Sequence, residues 1–510
     1  MNSKRRRGDR DGVFAGSTPE RAIIDIGSNT VRMVVYGGSM RAPTVLLNEK
    51  VTARLGRDIA STGELASEAV EMALRGLRRF ALLLDDLEVR DVETVATAAV
   101  RDASNGGEFV KELRALGFDP RILSGEEEAK LSAQGVLGAF PGASGMVGDL
   151  GGGSLELVRL KKGQPTDPVT LPLGTLRLPD HRGEKRSDMR RSLGKVLSKN
   201  APKAKQGETL YLVGGTWRAM AVFAMQMQGH PLSDPHGFEL APKTARLIAS
   251  AFSGETYESL KARDRISSMR AEKLPDAATL LEVLLDRFEP SEIVFSSWGL
   301  REGLLYDRLP AHGQAKDPLL AGISNFATQR GAPPTLAARM AAWTVDAAPA
   351  RNHGTERLRL AATMLALASM QIEPNIRLPQ AVDWALHKRW VALDGKGRAM
   401  LAAAISANGN QMDLTEAVTS LASEEALEEA FGWGLAVRLA RRLGARSPRS
   451  LRMSRLVIEG DELVLRLAES HKALFGLPIE KDMKLLAGRL GLGWSVDIVA
   501  VDQLRRDAAE

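Results

Sequence analysis

Two stretches of the chain share one pattern of apolar and polar positions. Arg21–Gly38 reads RAIIDIGSNTVRMVVYGG, and Gly145–Leu160 reads GMVGDLGGGSLELVRL. Each is an apolar run, Asp-x-Gly, a small polar residue and a second apolar run. That predicts a strand, a tight turn and a returning strand, with a carboxylate at the mouth of the turn. Glycine permits positive φ there and lets backbone N–H groups come close to a ligand, and successive N–H groups in such a turn form an anion-binding nest. Singly, each stretch reads as an ordinary hairpin. As a pair they read as two phosphate loops, one from each of two related α/β lobes, with Asp25 and Asp149 facing the anion across a cation.

The remaining pattern fits alternating strands and helices. Thr44–Val51 predicts a strand, and Leu65–Leu84 predicts a helix with Leu65, Ala69, Met72, Ala73, Leu77, Phe80 and Leu84 at helical spacing. Val92–Ala98 predicts a strand that leads to Arg101 at a strand–helix junction. Pro120–Ser124 leads into a helix with Ser124 as N-cap and Glu126, Glu127 and Glu128 in its first turn. Those three acids have two readings: they complement the helix dipole, or one points into a cleft and takes a proton from an attacking water. Arg101 likewise reads as a surface residue or as a neutraliser of phosphoryl charge. Further on, LPLGTLRL ends a strand in a glycine turn, which reads equally as core or as part of the cleft, and Leu210–Val213 opens onto Gly214, Gly215 and Thr216 at a helix N-terminus, which suits an anion. Leu280–Phe288 predicts a helix, Glu292–Phe295 a strand, and Trp298 a core ring.

From Leu319 the composition shifts to Ala, Leu and Arg, and predicts helices. From about Met453, SRLVIEGDELVLRL predicts a hairpin around Gly460-Asp461, followed by a helix (Lys481–Leu490) and a strand (Trp494–Val501). The expected organisation is a disordered basic arm (1–19), lobe I (20–144), lobe II (145–312), a helical domain (313–450) and a small α/β unit (451–510). Arg182–Lys205 and Arg438–Arg455 are rich in basic residues, with nine Lys/Arg and seven Arg respectively. Each reads either as a path for a polyanion or as a solvated helix face.

Composition narrows the class. A chain of 510 residues exceeds one core. The absence of Cys excludes disulfides and thiolate metal sites and fits a reducing compartment. A net charge of +6 favours a polyanionic partner. No apolar run reaches the length of a membrane span, and the basic start MNSKRRRGDRDG has no apolar h-region behind it. A cytoplasmic location without membrane contact is therefore expected.

The blocks IDIGSNTVRMVV, ATAAVRDASN, ILSGEEEAKLSAQGV, VGDLGGGSLELV, LPLGTLRL, LVGGTWRAMA and IVFSSWGLREGLLYDRL, in that order, closely resemble the exopolyphosphatase/guanosine pentaphosphatase (Ppx/GppA) family over roughly Arg21–Leu309. The resemblance implies actin/hexokinase/Hsp70-like (ribonuclease H-like) lobes. It also implies hydrolysis of the terminal phosphoanhydride of inorganic polyphosphate, or of pppGpp, with Mg²⁺ or another divalent cation. The family's SGxEE motif places the catalytic glutamate at Glu128, and its arginine after the ATxxxR strand at Arg101. Asp149 matches the acid that opens the second loop, and Glu156 a further acid of that loop. With Asp25, these two form the expected metal side. Gly27, Ser28, Asn29, Gly151, Gly152, Gly153 and Ser154 match the phosphate cradle, and Gly214, Gly215 and Thr216 join it.

The helical region resembles a degenerate HD domain. LRLAATMLALASM stands where a metal-binding His-Asp pair would be, and His387 lacks visible partners. A homodimer is expected, with guanosine alarmones as further ligands. The helical extension and the two basic segments tilt the reading toward the long polymer. The readings carried beside it are a pppGpp phosphohydrolase, an ATP-dependent kinase of the same superfamily and a non-catalytic polyphosphate-binding protein.

Overall fold

The computed structural model describes residues 18–350, 354–445 and 447–506. Most of the expected basic arm, residues 1–17, lies outside the described residues. The chain forms two compact units, one ending at Pro318 and the other beginning at Leu319.

The first unit is built on two sheets of the same design. β1 (Arg21–Ile26), β2 (Val31–Gly37), β3 (Thr44–Val51), β4 (Asp91–Ala96) and β5 (Pro120–Ile122) lie in the order β3-β2-β1-β4-β5. β6 (Gly145–Leu150), β7 (Leu155–Lys161), β8 (Gln164–Leu171), β9 (Thr209–Val213), β10 (Glu239–Leu240) and β11 (Glu292–Ser296) lie in the order β10-β11-β9-β6-β7-β8. In both, an antiparallel three-strand meander is extended by strands parallel to its first member. The second sheet adds β10 antiparallel at its edge. These are the two actin/hexokinase-like, ribonuclease H-like lobes. β10 has no counterpart in the sequence reading, being only two residues long.

Helix α1 (Ser67–Asp86) buries Ala69, Ala73, Leu77, Phe80 and Leu84 in the core of the first sheet. Met72, assigned to that face from spacing, is 39% exposed. It sits a quarter-turn from the stripe that Ala69, Ala73 and Leu77 define.

Two helices pass between the sheets and touch both. α3 (Gly125–Ala139), which follows the short α2 (Ala98–Asp102), gives Ala129, Ala133, Val136 and Leu137 to the second lobe's core. On its other side, Leu131 meets Ile23, Val34 and Tyr36 of the first sheet. Beyond α4 (Arg186–Asn200), α5 (Gly215–Met227) and α6 (Leu274–Phe288), the chain returns in α7 (Leu300–Asp307). Leu304 and Leu305 of α7 join the same first-lobe cluster, so the end of lobe II in sequence packs on lobe I in space. α3 and α7 approach through glycine: a Cβ on Gly303 would stand 1.8 Å from the Leu131 carbonyl oxygen, and one on Gly135 would stand 2.2 Å from that of Gly299.

The basic run around α4 is largely a paired seam. Arg182 binds Asp276 at 2.7 Å, Arg186 binds Glu282 at 2.9 Å and Arg190 binds Asp286 at 2.7 Å, all on α6. Of its two readings, the structure favours the helix face for these three arginines.

In the second unit, α8 (Glu356–Ala368), α9 (Pro374–Leu386), α10 (Gly395–Asn408) and α11 (Glu424–Gly444) precede a three-stranded sheet. Its strands β12 (Ser454–Glu459), β13 (Glu462–Ala468) and β14 (Gly493–Val499) lie in sequence order, with α12 (Leu477–Leu490) connecting the last two in parallel. The turn at Gly460 has φ 58°, which glycine takes without strain. His387 ends α9 and is exposed. Buried Arg398 holds that helix end by donating to the carbonyls of Leu386 (2.9 Å) and Lys388 (2.7 Å). Among the described residues no helix is long and apolar enough to cross a membrane.

The α3–α7 contact gives the first testable outcome. Gly303→Ala forces a methyl carbon into a backbone carbonyl, and overpacking of this kind costs about 1–3 kcal/mol. A lower denaturation midpoint is expected, whereas Gly107→Ala, with nothing within 4 Å of its Cβ, leaves the midpoint unchanged or slightly raised. Equal midpoints for the two variants would refute the close packing.

Candidate active site

The two hairpin turns face each other across a cavity of about 260 Å³ in the first unit. Every residue named from the sequence for this site lines it except Arg101. The turns nearly touch: a Cβ on Gly152 would lie 3.3 Å from the Asn29 nitrogen, and one on Gly153 would lie 2.8 Å from Ser28 Oγ. The LPLGTLRL turn packs behind the second loop. Thr175 N–H donates to the Gly151 carbonyl at 3.0 Å and Leu176 N–H to that of Gly152 at 2.9 Å. A Cβ on Gly174 would stand 2.3 Å from the Gly153 carbonyl carbon, so only glycine allows this approach. Of its two readings, the turn takes the cleft side: it buttresses the phosphate loop, and Thr175 lines the cavity.

Register decides what each hairpin presents. Asp25 lies opposite Arg32 on β1–β2, and Asp149 lies opposite Glu156 on β6–β7. Directly opposed residues of an antiparallel pair share a face. The first loop therefore offers an acid and a base, and the second offers two acids.

The α3 N-terminus separates the three glutamates. Glu127 closes a capping box, accepting from Ser124 N–H at 2.8 Å while its own N–H donates to Ser124 Oγ at 3.2 Å. Those bonds lower its pKa. Glu126 is exposed. Glu128 lines the cavity, with its side chain 12% exposed. Four residues on, and so on the same helical face, buried Ser132 donates a short hydrogen bond to Asp149 Oδ2. One helix thus sets both carboxylates.

Burial raises the Glu128 pKa well above the ordinary carboxylate value; Glu156 and Asp149 add to it, and Arg101 opposes them. Burial, then Asp149, raises Glu156 to about 7, against hydrogen bonds from Ser154 and Thr170. Asp25 and Asp149 are also raised, chiefly by desolvation. Arg301 stands among them. Burial pulls its pKa down, but Glu302, Tyr36, Asp25 and Asp149 outweigh that, and the net shift is upward. Its Nη1, like Asn29 Oδ1 and Ser297 Oγ, is buried without a hydrogen-bond partner among the described residues. Tyr36 donates to Glu302 at 2.9 Å, and Glu302 accepts from Gly299 N–H at 3.2 Å. These bonds fix the segment that carries Arg301.

Arg101 is placed differently from the expectation. It does not line the cavity but reaches it through Glu128, with Nη1 3.4 Å from Oε2. The reason is local: Nη1 also donates to the Leu123 carbonyl at 2.9 Å and Nε donates to Asp102 at 3.2 Å. Asp25, Asp149 and Glu156 all line the cavity. However, among the described residues no three His, Cys, Asp or Glu side chains come together as a ready-made metal group.

Cations that the sequence reading left out line the cavity as well: Arg32, Lys50, Arg218, Arg270, Lys273 and Arg301. Lys50 is lowered by burial, then by Arg32 and Arg270, and Arg270 is lowered by burial. Arg32 and Arg301 stood inside quoted blocks, where alternation from Asp25 across the turn would have placed Arg32. Arg270 lies in a one-turn helix, Ser268–Ala271, and Lys273 caps the start of α6; no local pattern marks either.

Residues 33–312 match the model of the Ppx/GppA phosphatase family. The chain belongs to that family. The crystal structure of the Ppx/GppA family member from Aquifex aeolicus is similar at 27% identity and a TM-score of 0.50, covering 56% of this chain and 96% of that one. An exopolyphosphatase from Cytophaga hutchinsonii shares the fold at 24% identity and a TM-score of 0.50, with the same coverage. Ppx/GppA membership accounts for the first unit.

The crowded cations of this Ppx/GppA cleft repel one another when no anion is present. Replacing Arg270 by Met should therefore hold or raise the thermal midpoint of the ligand-free protein. Its affinity for tripolyphosphate, by titration calorimetry, should fall about tenfold or more, in line with loss of a charge-assisted hydrogen bond of about 1.5–3 kcal/mol. Unchanged affinity would remove Arg270 from the anion site.

Proposed function

We propose that the protein is an exopolyphosphatase that hydrolyses the terminal phosphoanhydride of inorganic polyphosphate. The observation that carries this reading is the polarity of one cleft, in which five carboxylates and six cations line a cavity with no aromatic ring among its described lining residues. Phosphoryl transfer needs positioning and charge neutralisation more than covalent chemistry. A chain of phosphates asks for cations along its length, and nothing here offers a nucleobase a stacking face.

Glu128 is the proposed general base. It is the one carboxylate of its triplet turned into the cavity, and a raised pKa suits it to take a proton from the attacking water near neutral pH. Arg101 holds Glu128 and favours its charged form. The loop amides of Ser28, Asn29, Gly152, Gly153 and Ser154, with Arg32, Arg270, Lys273 and Arg301, would bind the non-bridging oxygens, while those of Gly27 and Gly151 close the turns by donating to Thr30 and Ser154 carbonyls. Gly214–Thr216 lie at the N-terminus of α5, where backbone N–H groups add to the cradle.

Asp25, Asp149 and Glu156 are hard oxygen donors that suit Mg²⁺, which commonly takes one or two carboxylates and completes its shell with water and substrate phosphate. When bound, the cation would neutralise charge on the transferring group. Hydrolysis of pppGpp is the second reading, since the same reacting group would fit the same loops.

The deciding experiment is phosphate release from long-chain polyphosphate and from pppGpp, side by side with Mg²⁺. Fast release from the polymer is expected, together with loss of kcat by about 10²–10⁴ in Glu128→Gln. Faster release from pppGpp would transfer the assignment to that substrate. Full activity in Glu128→Gln would sink the base assignment.

The pH profile tests the electrostatics. The base works above its pKa and is lost as pH falls through it, so a raised pKa moves the acid limb of kcat/KM upward. Arg101→Met removes the charge that opposes this shift, and its acid limb should lie at higher pH than that of the wild type. A limb that stays in place, or moves down, would separate Arg101 from Glu128.

A further inference from the structure

One carboxylate joins the two lobes beside the cleft without entering it. Asp102 ends the short helix α2. Its Oδ1 accepts from Arg101 Nε at 3.2 Å, and its Oδ2 accepts from Arg177 Nη2 at 3.2 Å. Arg101 belongs to lobe I and holds Glu128, with Nη1 3.4 Å from Oε2. Arg177 belongs to lobe II, in the LPLGTLRL turn that packs behind the second phosphate loop. Its own N–H donates to the Gly174 carbonyl at 2.8 Å, while those of Thr175 and Leu176 donate to Gly151 and Gly152. A row of polar contacts therefore runs from the second phosphate loop through Arg177, Asp102 and Arg101 to Glu128.

Local structure does not account for this acid. An acid in the last turn of a helix opposes the helix dipole, which favours a base there. The side chains of Arg177 and Asp102 are 28% and 34% exposed, and an ion pair so open to water adds little to stability. Its effect is geometric instead. Arg101 is held by Asp102 at Nε and by the Leu123 carbonyl and Glu128 at Nη1. Without Asp102 its guanidinium loses the contact that sets the plane of its fork. Arg177, from the opposite lobe, keeps the carboxylate turned toward Arg101. Asp102, Arg101 and Arg177 all lie outside the described cavity lining, so they reach the reacting atoms only through Glu128.

We propose that Asp102 is a positioning residue, which ties Arg101 of lobe I to Arg177 of lobe II and so fixes the guanidinium that orients the Glu128 carboxylate. The inference rests on Glu128 being the general base, as proposed above. It gives the Gly174 turn two tasks: its backbone supports the phosphate loop, and its arginine sets the base. The base is thereby placed with reference to the loop that holds the phosphate. A general base must stand within hydrogen-bond reach of the proton it takes, and a small misplacement lowers the rate of the step.

The test is steady-state phosphate release by the full-length chain with Mg²⁺, read on whichever of polyphosphate and pppGpp is the faster substrate. Asp102→Asn keeps the shape of the side chain and removes its charge. Its kcat should fall about tenfold or more, with KM within about twofold of wild type, and its thermal midpoint should stay in place. In an Arg101→Met background the same substitution should lower kcat no further, since residues that act through one another are not additive. Arg177→Met should also lower kcat and keep KM, and adding it to Asp102→Asn should cost nothing more. Arg177→Lys, which keeps the charge, should recover part of the lost rate.

A wild-type kcat in Asp102→Asn would overturn the proposal. So would a raised KM with kcat kept, the mark of a phosphate loop merely loosened from behind, and so would full additivity with Arg101→Met. Should Asp102→Asn unfold, Arg177→Met decides by the same two constants, and an unchanged kcat there refutes the link. Glu128→Gln is run in parallel. Its full activity would sink the base reading and this inference together, whereas its loss beside a wild-type rate in Asp102→Asn sinks this inference alone.

Discussion

The cleft depends on holding charges of both signs where water has little access. Glu156 and Asp149 raise the pKa of Glu128, and Asp149 raises that of Glu156; only counter-charge or a proton can relieve that. Arg101 supplies part of it from behind Glu128, and Arg301 supplies part from the lining itself. These groups keep their places because α3 and α7 are pressed together by glycine contacts at Gly135 and Gly303. α3 brings Glu128 and, through Ser132, steadies Asp149. α7 brings Arg301 and Glu302. A packing constraint between two helices is thus also an electrostatic one.

The two lobes repeat a fold without repeating its charge. Position for position, Asp25 opposite Arg32 on the first hairpin corresponds to Asp149 opposite Glu156 on the second. A symmetric pair of loops would make a cleft without direction. Replacing a base by an acid at one of two equivalent sites leaves the second hairpin with two acids, which suit a cation, and the first with one acid and one base.

Much of this was legible in the sequence because it is local. The Asp-x-Gly hairpins, the capping box at Ser124 and the strand at Thr44–Val51 are set by neighbours within a few residues, and short-range rules read them well. The triplet Glu126–Glu128 was not separable by those rules. Only once Glu127 is seen to bind Ser124 does Glu128 stand out as the acid facing the cavity. Arg270 and Lys273 were not legible because their place in the cleft comes from the tertiary path between β10 and α6. Arg101 was named from its motif, yet Leu123 and Asp102 hold it at one remove from the cavity. The Gly174 turn read equally as a core turn or as part of the cleft, because what it touches, the back of Gly153, is distant in sequence.

The two basic segments show why charge composition alone could not decide their roles. Both are arginine-rich helices, and in sequence either could be a polyanion path. Arg182, just before α4, and Arg186 and Arg190 on it meet Asp276, Glu282 and Asp286 of α6, so the positive charge is spent on holding two helices together. On α11, Arg438 and Arg442 share a single buried carboxylate, and Arg441 has none of its own. The first run is paired along a row of acids, and the second gathers on one.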